Sequence, residues 1–137
     1  MIHQLRVIFG DTDQMGVVYY ANYLRYFESA RADYWRQLGK SYKDIDALGI
    51  ALPVIAAHCD YKRPAHYEDL LEIDVNVCEM RGVTMRFDYQ VCHAGQLLAT
   101  GYTRHAVVRT SDGRPTAIPS TLRAAIPVVA ATLACVS

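Results

Sequence analysis

Two carboxylates, Asp11 and Asp13, open the short loop Asp11-Thr12-Asp13-Gln14-Met15-Gly16 and are by type the residues best suited to chemistry. Aspartate and glycine are common in turns, so a solvated turn is the simplest reading. A calcium loop is a second reading, and it fails on detail. Counted from Asp11, the fifth position is Met15 and the twelfth is Asn22, and a strand pattern rather than a helix precedes the loop. The third reading depends on the residues after Gly16. The loop runs through Val17, Val18, Tyr19 and Tyr20 into the start of an aromatic-rich helix. A helix N-terminus presents unpaired N–H groups and a positive dipole end. A carboxylate beside that terminus sets a base or nucleophile next to an oxyanion hole, and acyl transfer requires that pairing.

The elements that must position these groups are legible from periodicity. From Asn22 to Leu38, apolar or aromatic side chains fall at Tyr23, Leu24, Phe27, Ala30, Tyr34, Trp35 and Leu38, a spacing of three to four residues that predicts one long amphipathic helix. Asn22 is its expected N-cap and Gly39 its stop. Glu28 with Arg31, and Asp33 with Arg36, stand close enough on such a helix for weak ion pairs. An apolar arc this wide needs cover on more than one side.

The rest of the chain reads mostly as sheet. Residues 2–9 alternate and predict a strand; Ser41–Leu48 predicts a short helix capped by Ser41 and Asp44. Val54–Arg63 is extended. Leu71, Ile73, Val75 and Val77 alternate with polar residues, as do Val83, Met85, Phe87, Tyr89 and Val91, and Leu97–Arg109 is a third long strand. Short turns at Arg81-Gly82 and at His93–Gln96 imply an antiparallel meander with one face buried. The expectation is an α+β domain with about five strands, whose long, coiled sheet encloses the helix.

The totals bound the function. The 137 residues are enough for one domain, 1–137, with a sizeable core; its tail, 127–137, is expected to be disordered or to pack on a neighbouring subunit. Fourteen basic and fourteen acidic residues cancel, which argues against nucleic acid or an anionic membrane as partner. No stretch approaches the roughly 20 apolar residues of a membrane span, and MIHQLRV lacks a signal-peptide pattern, so the expected location is the cytoplasm. Cys59, Cys78, Cys92 and Cys135 form no CxxC pair and are expected to be reduced thiols. No HExxH or Cys/His cluster suggests a metal, and no cofactor motif is present. The five histidines, His58 and His66 included, read as packed or surface residues.

The segment FGDTDQMGVVYYANYLRYFESAR, with its DxDxxGxVxxxxYxxxxE pattern, resembles the active-site segment of the hotdog-fold acyl-CoA thioesterases. The closest groups are the 4-hydroxybenzoyl-CoA thioesterase family and the thioesterases of the Tol–Pal gene cluster. The likeness covers about residues 3–123 and includes the YKRPAHYEDLLEI stretch. It implies a central helix wrapped by an antiparallel sheet, with no cofactor. It implies that Asp13 is the catalytic carboxylate and that the Tyr20 backbone N–H polarises the thioester carbonyl. It also implies substrate contacts at Gly16, Val18, Tyr19, Tyr23 and Glu28. The Tol–Pal group commonly carries His where this chain has Tyr20. The resemblance further implies an acyl-CoA substrate and a homodimer or homotetramer with active sites between protomers. Lys62, Arg63, Arg81 and Arg86 are candidate contacts for the CoA phosphates, with ordinary solvated strand residues as the alternative. A hotdog hydratase, for which His58 is the only base in view, or a non-catalytic acyl-CoA-binding protein are the alternatives.

Overall fold

The computed structural model describes residues 1–130. Helix α1 (Asn22–Gln37) buries Tyr23, Tyr26, Phe27, Ala30, Tyr34 and Trp35. It lies across a five-stranded antiparallel sheet in the order β1-β4-β5-β6-β3, formed by β1 (Ile2–Arg6), β3 (Val54–Tyr61), β4 (Leu70–Arg81), β5 (Thr84–His93) and β6 (Gln96–Ala106). Helix α2 (Tyr42–Ala47) starts on the expected Ser41/Asp44 capping box. A two-stranded ribbon of β2 (Ile50–Ala51) and β7 (Val108–Arg109) and a short helix α3 (Ser120–Ala125) complete the described chain. The alternation carries straight into the packing. Leu71, Ile73, Val75 and Val77 of β4 and Met85, Phe87, Tyr89 and Val91 of β5 are all buried. Phe27 stacks on Tyr89 with ring centroids 4.2 Å apart, and Tyr34 and Trp35 meet Phe87 edge-on at 5.3 and 5.8 Å.

Four expectations are corrected. The first strand ends at Arg6, because the chain then turns through a 3₁₀ segment, Phe9–Asp11; Phe9 is left 74% exposed, edge-on to Tyr67. The residue before α1 is Ala21, so Asn22 is not the cap: its side chain donates backwards to the Asp11 carbonyl at 3.0 Å. The third long strand breaks at Val107 into β6 and β7, and β7 leaves the main sheet to pair with β2. Arg36 does meet Asp33, at 3.6 Å, but Arg31 turns inward to donate to the Tyr89 hydroxyl at 3.1 Å instead of meeting Glu28. A buried phenol oxygen needs a donor more than an exposed carboxylate needs a partner. Gly39, at φ +76°, ends α1 as expected. Cys59 and Cys78 are free thiols; Cys92 is not among the free ones, and Cys135 lies outside the described residues. Of the tail, Val128 pairs in parallel with Val77 and the Val129 N–H donates to the Val77 carbonyl at 2.9 Å. Residues 131–137 fall outside the described residues.

Arg31 begins a buried polar chain between α1 and the sheet whose direction is fixed at both ends. Arg31 can only donate, and the Leu52 carbonyl, which takes His105 Nδ1–H at 2.9 Å, can only accept. Tyr89 O–H therefore donates to Thr103 Oγ1 (2.7 Å), and Thr103 O–H donates to His105 Nε2 (2.8 Å). This order requires neutral His105, and burial pushes its pKa down from 6.5 to about 4. The unfolded chain takes up that proton near 6.5 and the folded chain only near 4. His105 thus favours the fold fully above pH 6.5, and its contribution is lost as pH falls toward 4. The expected result in a histidine NMR titration is a His105 ring that stays neutral well below its ordinary value of 6.5 and protonates only near 4. A His105 midpoint at 6.5 or above contradicts the chain of donors.

Candidate active site

The loop between β1 and α1 folds into a tight turn. Asp13 N–H donates to the Val17 carbonyl (2.8 Å), Gly16 N–H to the Asp13 carbonyl (3.0 Å), and Met15 N–H to Asp13 Oδ1 (2.8 Å). Gly16 sits at φ +79°, where a side chain is strained. The turn docks on the segment before β4, with Val18 N–H on the Ala65 carbonyl at 2.8 Å and Val17 paired with His66. The two acids of the DxD stretch part because Asp11 ends the 3₁₀ segment while Asp13 belongs to the turn that follows it. Asp13 is exposed, whereas Asp11 is only 7% exposed and accepts from Tyr26 O–H at 2.9 Å and Arg25 Nη1 at 3.3 Å.

The end of the loop prepares the helix terminus. Tyr19 N–H donates to the Asp11 carbonyl, Asn22 N–H to the Tyr19 carbonyl and Tyr23 N–H to the Tyr20 carbonyl, at 2.9, 2.9 and 3.2 Å. Among the described residues the N–H groups of Tyr20 and Ala21 find no backbone acceptor. A groove of about 320 Å³ brings this terminus and the acid together: Asp13, Val18, Tyr20 and Tyr23 line it, with Val17, Tyr61 and Pro64 completing the wall and Lys62 and Arg63 contributing cations. Tyr61, at the end of β3, donates its hydroxyl to the Tyr20 carbonyl at 3.0 Å and meets the Tyr23 ring edge-on at 5.1 Å. Burial raises the Tyr23 pKa, so its phenol remains protonated at neutral pH. Lys62 and Arg63 both direct their backbone N–H groups at the Leu98 carbonyl (2.8 and 3.0 Å), which ends β3 and sets the two cations side by side.

The other sequence candidates lie elsewhere. Gly16 is at the back of the turn and does not line the groove, nor does Tyr19, although its ring leans on that of Tyr20 at 4.7 Å. Glu28 is on the exposed face of α1, over a separate groove of about 430 Å³ shared with Asp11, Arg25 and Tyr26. Arg86 is on the opposite face of the sheet, in a cavity of about 540 Å³. There it pairs with Asp88 at 2.9 Å and lies over the Tyr102 ring at 4.1 Å. Arg81, 83% exposed in its side chain, pairs with Glu79. Three residues that matter locally carry little signal in the sequence. Tyr61 ends an extended run with no sign of what it faces, Asp11 carries no mark separating it from Asp13, and Tyr26 lies outside the apolar set that defines the helix. Among the described residues no group of His, Cys, Asp and Glu is arranged to hold a metal ion, and no helix is long and apolar enough to cross a membrane.

Such an arrangement suits acyl chemistry: an acid shares a groove with a helix-entry residue whose N–H lacks a backbone acceptor among the described residues, beside apolar walls and two cations. The family model of the thioesterase-like superfamily matches residues 7–126. The chain is 33% identical over 122 residues to the acyl-CoA thioesterase YbgC of Haemophilus influenzae, covering 88% of this chain and 90% of that one. A hypothetical protein of Aquifex aeolicus superposes with a TM-score of 0.87 at 32% identity, covering 93% of this chain and 99% of that one. A DHNA-CoA thioesterase from Staphylococcus aureus superposes with a TM-score of 0.84 at 28% identity, covering 90% and 86% of the two chains.

Proposed function

The chain belongs to the thioesterase-like superfamily, has the hotdog fold and is a thioester hydrolase; we propose that it cleaves an acyl-CoA to the free acid and CoA with Asp13 and the Tyr20 N–H as its working groups. The observation that carries this reading is that exposed Asp13 lines one groove with Tyr20, whose N–H has no backbone acceptor among the described residues. The thioester carbonyl lies between them. Its oxygen accepts from Tyr20 N–H, with the α1 dipole behind it, as negative charge develops. Asp13 attacks the carbonyl carbon, or takes a proton from a water that does so. The carbon–sulfur bond breaks, the CoA thiolate leaves with its electron pair and is protonated, and water supplies the oxygen of the acid. No step requires a metal or cofactor. A hydratase would need an imidazole at the groove. Among the described residues none lines it, and His58 faces the other side of the sheet, stacked on Tyr102.

Lys62 and Arg63 suit the phosphates of CoA, whose charge the neutral walls of Tyr20, Tyr23 and Tyr61 do not meet. Release of CoA thiol from a panel of short, long and aromatic acyl-CoAs tests the reading. With the best substrate, Lys62→Ala and Arg63→Ala each raise KM about tenfold and leave kcat nearly unchanged, as expected for charged contacts made equally in ground and transition states. Unchanged KM in both variants removes them from the site.

A second copy of the chain is the proposed partner. β3 is a sheet edge of eight residues, with Val54, Ile55 and Tyr61 roughly half-exposed along it. A long apolar edge is unusual unless something pairs with it. The groove opens at the end of this strand, so two copies joined along β3 would close it between them; two such dimers would make the tetramer. The chain is proposed to work as one thioesterase domain.

A further inference from the structure

We infer that Asp11 and Tyr26 are positioning residues for the hydrolysis, fixing the Asp13 turn relative to the Tyr20 N–H; this rests on the assignment of Asp13 and Tyr20 proposed above. Every polar group of Asp11 is engaged. Its N–H donates to the Ile8 carbonyl (3.1 Å), its carbonyl accepts from Tyr19 N–H (2.9 Å) and Asn22 Nδ2 (3.0 Å), and its carboxylate accepts from Tyr26 O–H (2.9 Å) and Arg25 Nη1 (3.3 Å). Asp11 is thereby tied to Tyr19, just ahead of the helix, and to the first two turns of α1. Asp13 lies two residues beyond one end of this knot, and Tyr20 directly beyond the other.

Closing the turn does not need Asp11. The bonds within residues 13–17, and from Val18 to Ala65, already do so. What Asp11 adds is the connection from the turn to the helix whose terminus carries the oxyanion donor. Taking a carboxylate out of water costs several kcal/mol unless it is well paired. A merely solvated turn has no reason to bury one. Tyr26 is suited to hold it, since burial and the adjacent Asp11 raise its pKa well above that of a free phenol and keep it a donor.

The positioning role is tested on the full chain by CoA release, with Asp11→Ala, Asp11→Asn and Tyr26→Phe made alone and in an Asp13→Asn background. Asp11→Ala is expected to lower kcat about 100-fold, the scale of a misplacement near 1 Å, with KM within about twofold of wild type. Asp11→Asn recovers most of the loss, because its amide oxygen still accepts from Tyr26. Tyr26→Phe, which removes only a hydroxyl, lowers kcat about tenfold and covers the case in which Asp11→Ala does not fold. In the Asp13→Asn background none of these changes reduces the residual rate further. A wild-type kcat for Asp11→Ala and Tyr26→Phe, or the same fractional loss with and without Asp13, overturns the inference. The two failures are separable. Wild-type turnover by Asp13→Asn alone removes the site reading and the positioning role with it, whereas slow Asp13→Asn beside normal Asp11 variants removes only the latter.

Discussion

Asp13→Asn abolishes most CoA release, lowering kcat by about 10²–10⁴-fold, the range by which a positioned acid–base or nucleophilic group accelerates such a step. The substitution is close to isosteric, and its structural cost is small for a reason visible in the turn. The only bond the Asp13 side chain makes among the described residues is Oδ1 accepting from Met15 N–H, and the asparagine carbonyl oxygen can accept the same bond. The side chain is exposed, so no core contact changes. The loss should therefore appear in kcat with an unaltered melting temperature. Assay of thiol release at saturating substrate, alongside a thermal melt, separates the two. Turnover at the wild-type rate contradicts the assignment.

The largest effect on stability is expected far from the chemistry, at Gly101→Ala. Gly101 is on β6, opposite Tyr89 on one side and Cys59 on the other, directly beneath Phe27. A Cβ built there would lie 2.6 Å from Phe27 Cε2 and would run into the backbone carbonyl of His58. Neither obstacle yields cheaply. Phe27 is wholly buried and stacked on Tyr89, and the His58 carbonyl belongs to the neighbouring strand. One added methyl must push α1 off the sheet or spread β3 from β6. Overpacking of this kind costs about 3 kcal/mol, or roughly 10 °C in melting temperature for a domain of this size. A melt within about 2 °C of wild type would show that the helix and sheet are not in the close contact described. The glycine is thus the point at which the sheet admits the helix.

The contrast between these residues shows what the chain makes legible. The helix is readable because Tyr23, Phe27, Ala30, Tyr34 and Trp35 repeat with its period, and β4 and β5 because each alternates cleanly enough to have one buried face. Order of strands is not readable, since β3 reaches the far edge beside β6 through pairing that no local pattern encodes. Nor is the break at Val107: the residues on both sides favour strands equally, and tertiary pairing with β2 decides the outcome. At the site, Asp13, Val18, Tyr20 and Tyr23 come together because they are neighbours in one loop and helix start, a local arrangement that a motif can carry. Lys62 and Arg63 join them from the end of a strand some forty residues on; only geometry could separate Arg63 from Arg86, and Lys62 lines both this groove and the cavity of Arg86. The burial of Asp11 is hidden for a similar reason. An aspartate in a polar loop looks solvated until the phenol that holds it, on the next helix, is seen to point inward.

The most direct test of the Asp13–Tyr20 assignment is a crystal structure with a non-hydrolysable acyl-CoA analogue in which a methylene replaces the thioester sulfur. The ketone oxygen is expected within about 3 Å of the Tyr20 nitrogen, with the Asp13 carboxylate on the other side of the carbonyl carbon and the phosphates toward Lys62 and Arg63. A ketone bound away from the start of α1, with Asp13 facing only solvent, contradicts it.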